Sequence, residues 1–182
     1  MTGPRPPMER WLRILAATLA LLLVPLAGAW LLPAEWQVER SVLIHAPAAK
    51  IFPHLNNLKR WREWTVWYAR TPGMQVEYEG PDAGVGATSR WKDQDGRGAL
   101  KIVRSDADRR VEYLLLLDGG RYEMNGLLLL VPEAEATRVT WRTSGVTAGS
   151  PLLRYVSLLM TVWLSRDFDA SLARLKDQLE AR

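Results

Sequence analysis

From about residue 74 to residue 146 the chain alternates apolar and polar positions with a period of two. Met74, Val76 and Tyr78 alternate with Gln75, Glu77 and Glu79, while Val139, Trp141 and Thr143 face away from Arg138, Thr140 and Arg142. Successive side chains of a strand point to opposite faces, so the pattern predicts one strand near 74–79 and others at 86–92, 97–104, 109–117, 121–131 and 136–146. Lys92-Asp93-Gln94-Asp95-Gly96 and Asp118-Gly119-Gly120 have the composition of tight hairpins. The runs Leu114–Leu117 and Leu127–Val131 are apolar on both faces. That predicts strands covered on both sides, or with one face against a partner or a membrane.

Residues 37–44 alternate in the same way and predict a first strand, with Val38, Arg40, Val42 and Ile44 on one face. Pro47 suits the first turn of a helix whose apolar side is Ile51, Phe52 and Leu55, and Pro53 keeps that helix short or kinked. Asn56-Asn57 supplies a turn and an N-cap for a second short helix through Trp64. After the last strand the period becomes helical. Leu152, Val156, Leu159, Trp163, Phe168, Leu172, Leu175 and Leu179 form one side, and Asp169, Arg174, Lys176, Asp177 and Glu180 the other. Ser150-Pro151 starts this helix, and about 30 residues give ~45 Å, enough to cross a sheet. Its first half, Leu152 to Leu164, carries only Arg154 as a charge. Thirteen residues are too short for the ~30 Å of a bilayer core, so a buried helix is expected there.

Ile14 to Leu32 is a stretch of 19 residues without a charge, about 28 Å as a helix, interrupted by Pro25. Arg5, Arg10 and Arg13 precede it, and Glu35 and Glu39 follow. Residues 1–33 are therefore read as a transmembrane anchor or signal segment, and 34–182 as one globular domain. The charge asymmetry predicts a single-pass membrane protein with its N-terminus in the cytoplasm and its domain outside, periplasmic in a diderm bacterium. Ala27-Gly28-Ala29 fits a cleavage site, but Trp30-Leu31-Leu32 prolongs the apolar stretch past it and favours retention.

The chain has 182 residues, a hydrophobic fraction of 48% and a formal charge of +4. That is one domain's worth of core and no basic stripe for nucleic acid. Nine tryptophans against two phenylalanines supply large apolar faces, each with one N–H donor. The lack of cysteine excludes disulfides, thiolate metal sites and a cysteine nucleophile.

The motifs Arg40-Ser41-Val42-Leu43-Ile44-His45-Ala46-Pro47 with Ile51-Phe52, then Trp64 and Trp67, run into Tyr78-Glu79-Gly80-Pro81, Gly84-Val85-Gly86-Ala87 and Trp91. Val139-Thr140-Trp141 and the stretch from Asp167-Phe168 to Leu175-Lys176 complete the set. Over residues 36–182 the chain resembles the START-like (SRPBCC) superfamily, in particular its polyketide cyclase/dehydrase-like branch. The resemblance implies an α+β helix-grip fold. A curved antiparallel sheet of about seven strands would grip a long C-terminal helix around an apolar cavity, with two short helices after strand 1.

Gly84-Val85-Gly86 is no dinucleotide fingerprint, because Ser89 stands where the third glycine belongs and no βαβ unit surrounds it. Asp93-Gln94-Asp95-Gly96 lacks the remaining ligands of a calcium loop. His45 and His54 carry no metal-ligand spacing, and no Gly-x-Ser-x-Gly elbow occurs. No catalytic residue, metal or cofactor is assigned. The cavity-lining candidates are Trp64, Trp67, Tyr78, Trp91, Tyr113, Tyr122, Met124, Trp141, Leu159 and Trp163. The function expected is a membrane-anchored binder of a lipid-like or other hydrophobic small molecule, contacting the membrane through residues 14–32. Two alternatives are a cyclase- or dehydratase-like enzyme using a cavity tyrosine and an envelope interaction module using its leucine-rich sheet face.

Overall fold

The computed structural model describes residues 8–93, 96–147, 149 and 151–181. Its elements are α1 (Met8–Leu31), β1 (Glu35–Ile44), α2 (Ala48–Asn56), α3 (Trp61–Trp64), α4 (Val66–Arg70), β2 (Gln75–Glu79), β3 (Thr88–Asp93), β4 (Gly96–Asp106), β5 (Arg110–Leu117), β6 (Tyr122–Glu133), β7 (Ala136–Val146) and α5 (Leu153–Glu180). The seven strands form one antiparallel sheet in the order β1-β7-β6-β5-β4-β3-β2. Strand 1 thus pairs with the last strand, Val42 opposite Val139 and Arg40 opposite Trp141. This is the helix-grip arrangement that the sequence resembles.

Each short element has a local cause. Pro47 precedes α2, and Pro53 lies inside its nine residues. Asn57 accepts a hydrogen bond from the Lys59 amide through its side chain and opens a 3-10 turn at Leu58–Arg60. Thr65 is extended, so α3 stops after Trp64 and α4 starts anew. Asp118, Gly119 and Gly120 turn with positive φ. The hairpin at 92–96 and the helix start at Ser150 lie partly outside the described residues.

The concave face of the sheet carries Val38, Ile44, Ile102, Val111, Tyr113, Leu128, Val139 and Trp141, all buried. Against it pack α2, α3 and the second half of α5, through Ile51, Leu55, Trp64, Phe168, Leu172, Leu175 and Leu179. The end of α5 is tied down by polar contacts. Lys50 Nζ donates to the Leu179 carbonyl at 2.8 Å, and Glu180 accepts from the His45 amide at 2.6 Å. The His45 amide, then its ring, hold the Glu180 carboxyl below the usual range.

On the convex face the leucine-rich strands are covered only in part. Leu114, Leu116, Leu127 and Leu129 point outward but are half-buried. Leu127 lies opposite Arg142 and Glu112, and Leu129 opposite Arg110. These charged residues pair, Arg142 with Glu39 and Arg110 with Asp106 and Glu112. Their aliphatic stems screen Leu127 and Leu129 while their heads stay in water. One correction concerns α5. Its first half is not buried: Val156 is 49%, Leu159 65% and Trp163 74% exposed.

Candidate functional site

The wedge between the first half of α5 and strands β3–β6 is hollow, a cavity of about 790 Å³. Trp91 of β3, Leu100 of β4, Tyr113, Leu115 and Leu117 of β5 and Met124 of β6 form its sheet wall. Val156, Leu159, Met160 and Trp163 form the helix wall, and Trp67, Tyr68 and Arg70 of α4 close one side.

Its floor is a tryptophan cluster centred on Trp141. The Trp141 ring stacks on Phe168 at 4.0 Å and meets Trp61, Trp64 and Trp67 edge-on at 5.8, 5.2 and 5.6 Å. Fully buried N–H groups need acceptors. Trp141 Nε1 donates to Tyr113 Oη at 2.7 Å, and Tyr113 Oη lies 3.0 Å from Thr143 Oγ1. An indole N–H only donates, so Tyr113 accepts from Trp141 and is left free to donate to Thr143. Burial pushes the Tyr113 hydroxyl up to about 12, although both hydrogen bonds pull the other way. Trp61 Nε1 donates to the Leu55 carbonyl at 2.9 Å and Trp64 Nε1 to the His54 carbonyl at 3.2 Å. The floor is therefore a rigid, self-satisfied platform.

Polar groups also stand in the wall, Arg70, Thr71, Ser89 and Asp167 among them. Asp167 accepts from Trp67 Nε1 at 2.9 Å and pairs with Arg70 at 2.6 Å. Farther along, Tyr68, Tyr78 and Ser89 gather their hydroxyls. Burial, then Tyr78, holds the Tyr68 hydroxyl well above its ordinary range. Tyr78 Oη itself is buried without a hydrogen bond of good geometry.

Of the residues proposed from sequence, Trp67, Trp91, Tyr113, Met124, Leu159 and Trp163 line the cavity. Trp64 and Trp141 lie beneath it, fully buried. Tyr78 borders a smaller pocket of about 130 Å³ beside Gly80 and Pro81. Tyr122 is 47% exposed at the start of β6, under the Arg121 guanidinium. Sequence reasoning missed Tyr68, Arg70 and Asp167, which also line it. The stretch Leu114–Leu117 reads as apolar on both faces, which does not single out Leu115 and Leu117 as wall residues.

A sheet gripping a helix around a hollow defines a class of small-molecule-cavity folds. The chain belongs to the polyketide cyclase/dehydrase and lipid transport family, whose model matches residues 35–180. Comparison with curated proteins finds no match by sequence. Among solved structures it is similar to truncated norcoclaurine synthase from Thalictrum flavum, with a TM-score of 0.61 at 14% identity over 81% of this chain and 95% of that one. DynU16, from the dynemicin biosynthetic locus, gives 0.58 at 18% over 80% of this chain and 47% of that one, so the chain spans about half of that relative. The Aha1 dimer from Colwellia psychrerythraea gives 0.54 at 17%, over 80% and 97%. At these identities the likeness is one of fold.

Proposed function

We propose that the protein is a membrane-anchored receptor or carrier for a lipid-like or other hydrophobic small molecule held between sheet and α5. The observation that carries this reading is the cavity's size and apolar lining over a floor whose polar groups already bond one another. Such a pocket gains free energy by excluding water from an apolar guest. The enzyme alternative is weaker: Tyr113, the tyrosine at the floor, has its hydroxyl engaged by Trp141 and Thr143. A general acid or base needs a proton it can exchange with substrate.

The membrane part of the proposal rests on α1. Arg10–Leu31 is long and apolar enough to cross a bilayer, with a mean hydropathy of 2.3. Residues 1–33 are the anchor and 34–182 the ligand-binding domain, held at high effective concentration of lipid and outside the cytoplasm. A reporter fused to the C-terminus would be active only in an extracytoplasmic assay. Ligand binding is tested by titrating the detergent-purified full chain with a fluorescent polyene fatty acid. Saturable one-to-one binding, competed by unlabelled lipid, is expected. Only non-saturable micellar partitioning would refute it.

A further inference from the structure

The apolar first half of α5 stands where water should penalise it. Leu159 and Trp163 are 65% and 74% exposed, more than the ordinary scatter of surface apolar groups. The segment is also bonded to α1. Tyr155 Oη donates to the Pro25 carbonyl at 3.0 Å. Pro25 lies about 9 Å before the end of α1 at 1.5 Å per residue. Arg154 Nη1 donates to the carbonyls of Ala29, Trp30 and Leu32 at 3.3, 3.2 and 2.8 Å. A Cβ on Gly28 would come within 2.9 Å of Tyr155 Oη, and Ala29 is fully buried, so the two helices touch closely.

We infer that the first three turns of α5 are a second membrane-contacting element, seated in the bilayer interface beside α1. The cavity then opens onto lipid, and its ligand is a membrane lipid taken up laterally. The inference rests on the reading of α1 as a membrane span. If α1 spans, its last turn lies at the interface, so the Arg154 bonds hold the start of α5 at that depth, while Tyr155 reaches about 9 Å deeper to the Pro25 carbonyl.

The chemistry of the segment fits that location. Its single charge, Arg154, satisfies carbonyls that the end of α1 would otherwise expose, and a cation suits that helix end. Its serine and threonine hydroxyls reach the helix's own carbonyls: Ser157 donates to Leu153 at 3.1 Å, Thr161 to Leu158 at 2.7 Å and Ser165 to Thr161 at 2.7 Å, with Thr147 Oγ1 also beside Ser157 Oγ. Apolar media demand such internal satisfaction. Trp30 and Trp163, both largely exposed, suit the headgroup level. Val156, Leu159, Met160 and Trp163 line the cavity, and Leu153, Leu158 and Val162 beside them are exposed without lining it, so one helix separates guest from bilayer.

The cysteine-free chain allows a direct test by single nitroxide labels on the full protein in phosphatidylcholine/phosphatidylglycerol vesicles. Leu153→Cys and Leu158→Cys report on α5; neither residue lines the cavity, so a bound guest does not shield them. Leu19→Cys reports on α1, and Val103→Cys on the outer sheet face. The α5 labels should collide with a water-soluble nickel chelate at least fivefold less often than the Val103 label, and more often with oxygen. Chelate access equal to Val103 with Leu19 shielded would overturn the inference and leave the anchor standing. Access at Leu19 equal to Val103 would overturn both. Spin–spin broadening with shielding from both reagents would show a second copy on this face and also overturn it. Unchanged circular dichroism of each labelled chain confirms folding.

Discussion

The Tyr113 ring lies over Gly126, its partner across β5 and β6, and any Cβ at Gly126 would overlap that ring. The glycine is what lets the tyrosine lie flat enough to reach Trp141 and Thr143. Gly126→Ala should therefore push Tyr113 out of its bonds and destabilise the fold by about 1–3 kcal/mol, the usual range for overpacking. Gly73→Ala, with nothing within 4 Å of the added methyl, is the control and should be near neutral. Thermal unfolding in detergent measures both, at roughly 2–4 °C per kcal/mol.

Tyr113→Phe keeps the ring and strands two buried partners, Trp141 Nε1 and Thr143 Oγ1. The expected cost is about 1–3 kcal/mol, whereas Tyr122→Phe at its exposed position should cost almost nothing. The same residue sets an alkaline limit. Its pKa is raised from 10 to about 12 in the fold. Its contribution is thus complete below pH 10 and lost as pH rises towards 12. Tyr68, raised also, acts in the same direction. The melting temperature of Tyr113→Phe should fall less steeply over that window than wild type, and equal slopes would contradict the assignment.

His54 sets an acid limit. Burial, then Arg60, lowers its pKa below the ordinary 6.5, against the pull of Glu63. Arg60 Nη1 lies 3.3 Å from His54 Nε2, which favours a neutral ring accepting from the guanidinium. A depressed histidine contributes stability above 6.5 and loses it as pH falls through the folded value. Between pH 6.5 and 5 the wild type should lose melting temperature, and His54→Gln should lose less.

Asp167 separates two interactions. Arg70 is 59% exposed, so its ion pair adds little. The bond from Trp67 Nε1 is the part that holds the cavity wall. Asp167→Asn keeps an acceptor and should stay within about 0.5 kcal/mol of wild type, while Asp167→Ala should lose about 1–2 kcal/mol. Equal loss in both would place the weight on the ion pair instead.

Much of this was legible in the pattern. Period-two alternation located all seven strands within about two residues, because burial of one face imposes that period whatever the partner. Inward positions such as Tyr113 and Trp141 could be named for the same reason. Their mutual bond could not, since pairing of β5 with β6 and β6 with β7 lies outside local pattern. Trp64 and Trp67 stand close in sequence, yet the extended residue Thr65 turns Trp67 to the wall while Trp61 and Trp64 enter the core. The first half of α5 misled most. Apolarity predicts burial but does not name the medium, and there the surface is bare in the isolated chain. Leu127 and Leu129 of β6 are half-buried for a reason no local pattern carries, because Arg142 and Arg110 lie opposite them on the neighbouring strands.

The central claim is that the hollow holds an apolar guest. Native mass spectrometry of the full chain, released from detergent micelles and followed by solvent extraction, tests it most directly when wild type is compared with Leu115→Trp, which fills the cavity from the sheet wall. Wild type should carry one lipid-like adduct that extraction recovers, and Leu115→Trp should lose it while unfolding within a few degrees of wild type. A wild type without adduct, or an adduct retained equally by folded Leu115→Trp, would contradict the account.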